Sequence, residues 1–161
     1  MPQPQRDRPA RIVVVDDDPT LLNVLQAALA DEGYDVSCAL RPAEGHALIR
    51  EQRPDLVILD LLYSGRQDGV CLIERLKQDP ALRDIPVIVC SAARKDPDEL
   101  LALSREYGVC ILRKPFDLEA LLDAVVRALV GTMEKALQES RRGAPARYHR
   151  AGSVSSLSPL G

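Results

Sequence analysis

The chain has few aromatic residues. Tryptophan is absent, phenylalanine occurs once and tyrosine four times among 161 residues, 3% aromatic in all. A hydrophobic core must therefore be built from Leu, Val, Ile and Ala, and a stacking platform for single-stranded nucleic acid is not provided for. Positive charge is not in excess either. The formal net charge of −3 offers no basic field for DNA or for an anionic membrane surface. No run approaches the roughly 20 apolar residues that cross a bilayer, and the opening MPQPQRDRPA has no apolar stretch of a signal peptide. A cytoplasmic protein is expected. The four cysteines, Cys38, Cys71, Cys90 and Cys110, form no CxxC pair and have no histidine at zinc spacing. They read as buried reduced thiols that act as small hydrophobes. His46 and His149 have no partner spacing and receive no role.

What is present is a regular alternation. The balance of 46% hydrophobic and 28% charged residues suits one soluble domain of this length. Short apolar runs at Arg11–Val15, Tyr34–Ala39, Leu56–Leu59, Pro86–Cys90 and Val109–Leu112 have the length and β-branching of buried strands. Between them lie segments of helical period. Asp18-Pro19 reads as an N-cap followed by proline in the first turn, with Leu21, Leu22, Leu25 and Leu29 on one face and Gly33 at the end. Ala43–Arg50 forms a second helix, and Val70, Leu72, Ile73 and Leu76 mark a third. Asp96-Pro97 opens a fourth, which Gly108 closes, and Asp117 caps a fifth through Leu129.

Five apolar strands alternating with five helices predict an α/β fold, a doubly wound five-stranded parallel sheet with helices on both faces. The domain is expected over residues 10–131, after a disordered tail at 1–9. In the segment 132–161, Met133, Ala136 and Leu137 prolong the last helix by about two turns. From about Ser140 the composition is that of a disordered tail. The arginines Arg141, Arg142, Arg147 and Arg150 fit a solvated tail better than a nucleic-acid arm.

In such a sheet, ligands bind beyond the carboxyl ends of the strands. The first strand ends at Asp16, Asp17 and Asp18, the third at Asp60, the fourth at Ser91 and the fifth at Lys114-Pro115. Carboxylates brought together repel unless a cation relieves them. Mg²⁺, a hard cation that shares its shell with phosphate oxygens, is the simplest relief. A carboxylate beside it can accept a phosphoryl group as an acyl phosphate, with a lysine and a hydroxyl on the phosphoryl oxygens. Asp18 fits a helix cap better than a place in this cluster.

The runs VVVDDDP, DLVILD, VIVCSA and LRKPF, in this order, resemble the signature segments of bacterial response-regulator receiver domains, in particular single-domain, chemotaxis-type ones. The resemblance implies Asp60 as phosphoacceptor and Asp16 and Asp17 as the acidic pair for Mg²⁺. It also implies the Leu62 backbone carbonyl as a further metal ligand, Ser91 as the hydroxyl that swings toward the phosphoryl group, Lys114 as its counter-ion and a cis bond before Pro115. The implied phosphoryl donor is a histidine kinase or a histidine phosphotransfer protein. Output would pass to an effector protein through altered contacts, with a homodimer possible and no direct nucleic-acid contact, and the only catalysis would be self-phosphorylation and autodephosphorylation.

The chain departs from the family pattern in three places. The loop LLYSGRQDG after Asp60 is one residue longer than usual and lacks the common proline. The segment from Ser91 to Lys114 is also one residue longer. Ile111 stands where receivers usually carry a Tyr or Phe, so an aromatic readout of phosphorylation is absent or altered. Two other functions compete. One is a receiver-like interaction module that takes no phosphate. The other is a haloacid-dehalogenase-like phosphatase using Asp16 and Asp18 as a DxD pair with Ser91 and Lys114 downstream.

Overall fold

The computed structural model describes residues 7–61, 68–91 and 96–143. It divides into two compact units, Met1–Leu129 and Val130–Gly161. The first unit holds five strands: β1 (Arg11–Val15), β2 (Asp35–Ala39), β3 (Leu56–Asp60), β4 (Val87–Ser91) and β5 (Cys110–Arg113). They pair in parallel in the order β2-β1-β3-β4-β5. The helices are α1 (Pro19–Asp31), α2 (Pro42–Gln52), α3 (Asp68–Gln78), α4 (Pro97–Tyr107) and α5 (Leu118–Gly143). The doubly wound sheet expected from the alternation is present.

Strand parity explains why the strands read as unbroken apolar runs. Odd residues of β1, β3 and β4 (Val13, Val15, Val57, Leu59, Val87, Val89) pack on one face with Ile49 of α2, Leu72, Ile73 and Leu76 of α3 and Leu100 of α4. Even residues (Ile12, Val14, Leu56, Ile58, Ile88, Cys90) pack on the other face with Leu22, Leu25 and Leu29 of α1 and Leu121, Val125 and Leu129 of α5. Each face is covered by helices, so neither parity is free to be polar.

The helix ends follow local chemistry. Asp18 caps α1, its carboxylate accepting from the Thr20 and Leu21 amides at 3.0 and 3.3 Å. Asp96 accepts from Asp98 N–H at 3.0 Å and Asp117 from Ala120 N–H at 2.7 Å. Gly108 ends α4 at φ +66°, a left-handed conformation that a side chain would strain.

Three expectations need correction. Cys71 and Cys110 are exposed and Cys38 is half-buried, leaving Cys90 as the one buried thiol of the four. Cys71 lies on the outer face of α3, and Cys110 begins an edge strand whose residues are exposed or half-buried. Helix α5 runs through Gly143, so Ser140–Arg142 are helical rather than tail. Tyr34 precedes β2 instead of opening it, although its ring is buried against the α1/α5 face. Arg147 and Arg150 lie outside the described residues.

Candidate functional site

The order of the strands decides where the chemistry sits. The sheet grows outward from β1 in one direction to β2 and in the other to β3, so the chain reverses its winding at β1/β3. A crevice opens there beyond the strand ends. Asp16 follows β1 directly, and Asp60 is the last residue of the neighbouring β3.

Asp16 is 3% exposed and Asp60 8%. Asp16 is held from two sides: its backbone N–H donates to Ala39 at 3.1 Å, and its Oδ1 accepts from Asp18 N–H at 2.9 Å. Asp17 is exposed. Carboxylate oxygens of Asp16, Asp17 and Asp60 all lie within 4.8 Å of one another. Oxygen-only donors at that spacing suit a hard divalent cation.

Lys114 enters from the turn after β5. Its Nζ lies 3.4 Å from Asp16 Oδ2 and 3.7 Å from Asp60 Oδ1. Partial burial pulls its pKa down, but the Asp16 and Asp60 carboxylates outweigh that, and the net shift is upward. The ammonium is thus held charged between two acids. The backbone of Lys114 is pinned as well, its N–H donating to Ser91 C=O at 2.7 Å. The Lys114–Pro115 peptide is cis.

Ser91 is fully buried at the end of β4. The structure therefore gathers Asp16, Asp17, Asp60 and Lys114 in one cluster and places Ser91 on the adjacent strand end. Leu62, the remaining residue expected here, lies outside the described residues, as does most of the loop after Asp60. Asp18 is turned to the amides of α1, which removes the second acid of a DxD phosphatase pair from the cluster. Ile111 is half-buried against the α2/α3/α4 face.

Sequence reasoning passed over one residue at the site. Gly69, buried in the first turn of α3, lies so close to the backbone of Asp60 and Leu61 that a Cβ there would meet the Asp60 carbonyl oxygen at 2.5 Å. The only signal was the Asp68-Gly69 pair, which opens α3.

Residues 12–126 match the family described as the response regulator receiver domain. The chain belongs to that family. The receiver is 34% identical over 122 residues to Protein PilH of Pseudomonas aeruginosa, covering 76% of the chain and 99% of PilH. It is 34% identical over 134 residues to the DNA-binding dual master transcriptional regulator RpaA of a Synechocystis species, covering 81% of the chain and 53% of RpaA. It thus spans about half the length of RpaA, and only 26% of another relative, the response regulator PleD of Caulobacter vibrioides, is covered. Among solved structures it superposes on a response regulator receiver domain protein from Clostridium thermocellum with a TM-score of 0.69 and 26% identity, covering 80% of the chain and 98% of that protein. It shares its fold with the chemotaxis protein CheY4 of Vibrio cholerae at a TM-score of 0.68 and 24% identity, covering 75% of the chain and 99% of that protein. The family is that of two-component response regulators. Among the described residues no helix is long and apolar enough to cross a membrane.

Proposed function

We propose that Asp60 accepts a phosphoryl group from a phosphohistidine on a histidine kinase or a histidine phosphotransfer protein. A carboxylate oxygen of Asp60 attacks phosphorus, the phosphorus–nitrogen bond of the donor breaks, and the imidazole leaves with the electron pair. The product is an acyl phosphate on Asp60. The observation that carries this reading is the meeting of three carboxylates within 4.8 Å with an ammonium 3.4 and 3.7 Å from two of them.

Each residue has a role in this reading. Asp16 and Asp17, with Asp60, would hold Mg²⁺, which supplies positive charge to the phosphoryl oxygens. Lys114 is already charged and near Asp60, so it can pair with the incoming phosphoryl oxygens with little reorganisation. Ser91, buried one strand away, supplies the hydroxyl that follows the new charge. Phosphorylation would then bias a two-state equilibrium and alter contacts with an effector protein. PilH, matched over 99% of its length, is a precedent for a receiver with no further domain. We place the reaction in the cytoplasm and leave DNA contact out of it.

The test is intact mass after incubation with acetyl phosphate and Mg²⁺. One added phosphoryl group is expected, lost with a chelator and absent in Asp60→Asn. A label that persists in that variant would refute the acceptor assignment. Ile111, in place of an aromatic residue, favours a second reading, a receiver-like interaction module that takes no phosphate. It predicts no label under any of these conditions.

A further inference from the structure

We infer that Gly69 is a positioning residue for the phosphoacceptor: its missing side chain lets the first turn of α3 rest directly on the backbone of Asp60 and Leu61. The inference deepens the proposed function and rests on it. A Cβ at position 69 would lie 2.5 Å from the Asp60 carbonyl oxygen, 2.7 Å from that of Leu61 and 2.8 Å from Leu61 Cα. All three atoms are backbone, so no side-chain rotation relieves the crowding.

Neither partner is free to retreat. On the strand side, Asp60 pairs in register with Cys90, Leu61 N–H donates to Cys90 C=O at 3.2 Å, and the Leu61 side chain is 1% exposed in the core. On the helix side, α3 is anchored by Leu72, Ile73 and Leu76, each 2% exposed or less. Restoring ordinary contacts of about 3.5 Å moves the end of β3 or the first turn of α3 by up to about 1 Å. The strand end carries the Asp60 carboxylate, and a displacement of about 1 Å at a reacting group costs on the order of 10²-fold in rate.

Gly45 provides the matched comparison. Its Cβ would meet Val15 Cγ2 at 2.6 Å and Cγ1 at 2.9 Å, a crowding of similar severity directed at a side chain of β1 instead of the backbone that bears Asp60. Both substitutions destabilise the fold, but only the one at Gly69 displaces the acceptor.

The experiment measures phosphorylation of the full chain by acetyl phosphate with Mg²⁺ in wild type, Gly69→Ala, Gly45→Ala and Asp60→Asn, normalised to the folded fraction from circular dichroism. Gly69→Ala is expected to lower the maximal rate on the order of 10²-fold with the half-saturating donor concentration little changed, the pattern of a lost transition-state geometry. Gly45→Ala is expected to keep the wild-type rate per folded molecule. Should either glycine variant be unfolded in buffer, the same rates are taken in trimethylamine N-oxide, which favours the compact state. A wild-type rate in Gly69→Ala, or an equal loss in Gly45→Ala, overturns the inference. A wild type that takes no phosphoryl group sinks the proposed function itself and this inference with it.

Discussion

Strands β3 and β5 each deliver one charged group to the same cluster, and they do it from opposite environments. Every residue of β3 is buried and it pairs on both sides, whereas β5 is an edge strand with no buried residue. Asp60 is therefore fixed by the core, at 8% exposure. Lys114 reaches in on a flexible side chain that is 30% exposed. In the proposed function Asp60 is the nucleophile, which benefits from fixed geometry, and Lys114 the counter-ion, which follows charge as it moves from a carboxylate to a phosphoryl group. The sheet gives the first to its centre and the second to its rim.

The comparison is broken most directly by truncating each strand. Ile58→Ala removes a side chain 1% exposed and is expected to cost about 2–5 kcal/mol of unfolding free energy. Ile111→Ala, half-buried on β5, is expected to cost about 1–2 kcal/mol. Equal losses in urea denaturation would remove the distinction between centre and rim.

The functional half of the contrast is tested at Lys114. Lys114→Ala is expected to slow phosphorylation roughly 10²-fold and to lower the urea midpoint by less than Ile58→Ala does, the loss coming from the buried Asp16 and Asp60 carboxylates left without their cation. A large loss of stability with an unchanged rate would reverse the assignment.

Alkaline pH sharpens the contrast further. Burial, the largest cause, pushes the Cys90 thiol up to about 12 from its ordinary 9.0, and the Lys114 ammonium only partly opposes it. The unfolded chain thus loses this proton near pH 9 while the folded chain keeps it. The folded state binds more protons in that interval, so its stability is full below pH 9 and falls as pH rises toward 12. Cys90→Ala is expected to show a shallower fall across that window in urea melts taken at successive pH values. An unchanged slope would show that the interior strand β4 does not shield its thiol.

The smallest expected effect lies at Asp18, which sits one residue from the cluster yet serves α1. Asp18→Ala is expected to lower stability by about 1 kcal/mol and to leave the phosphorylation rate near wild type. A rate loss comparable with that of Lys114→Ala would return Asp18 to the chemistry.

Much of this organisation is legible in the residues themselves. The apolar runs of the strands, the caps at Asp18, Asp96 and Asp117, and the punctuation by Gly108 each have a local physical cause, and local causes can be read along a chain. The strands ended slightly late in the structure, since β3 and β4 include Asp60 and Ser91 themselves. Cysteine exposure was not legible, because an apolar neighbourhood in sequence does not say whether a strand lies at the centre or the edge. Gly69 was not legible either. A glycine in a helical turn has many uses, and contact with the Asp60 carbonyl becomes visible only when α3 is docked against β3.

By itself, the sequence determined the five strands, the five helices and the set of charged residues at the strand ends, because hydrophobic period and capping chemistry act over a few residues. Only the tertiary structure decided the order β2-β1-β3-β4-β5, and with it which strand ends meet. That order brings Asp16 and Asp60 side by side, lays Lys114 across both, and sets the tolerance at Gly69. Distances of a few ångströms between groups tens of residues apart are fixed by packing, which no local pattern encodes.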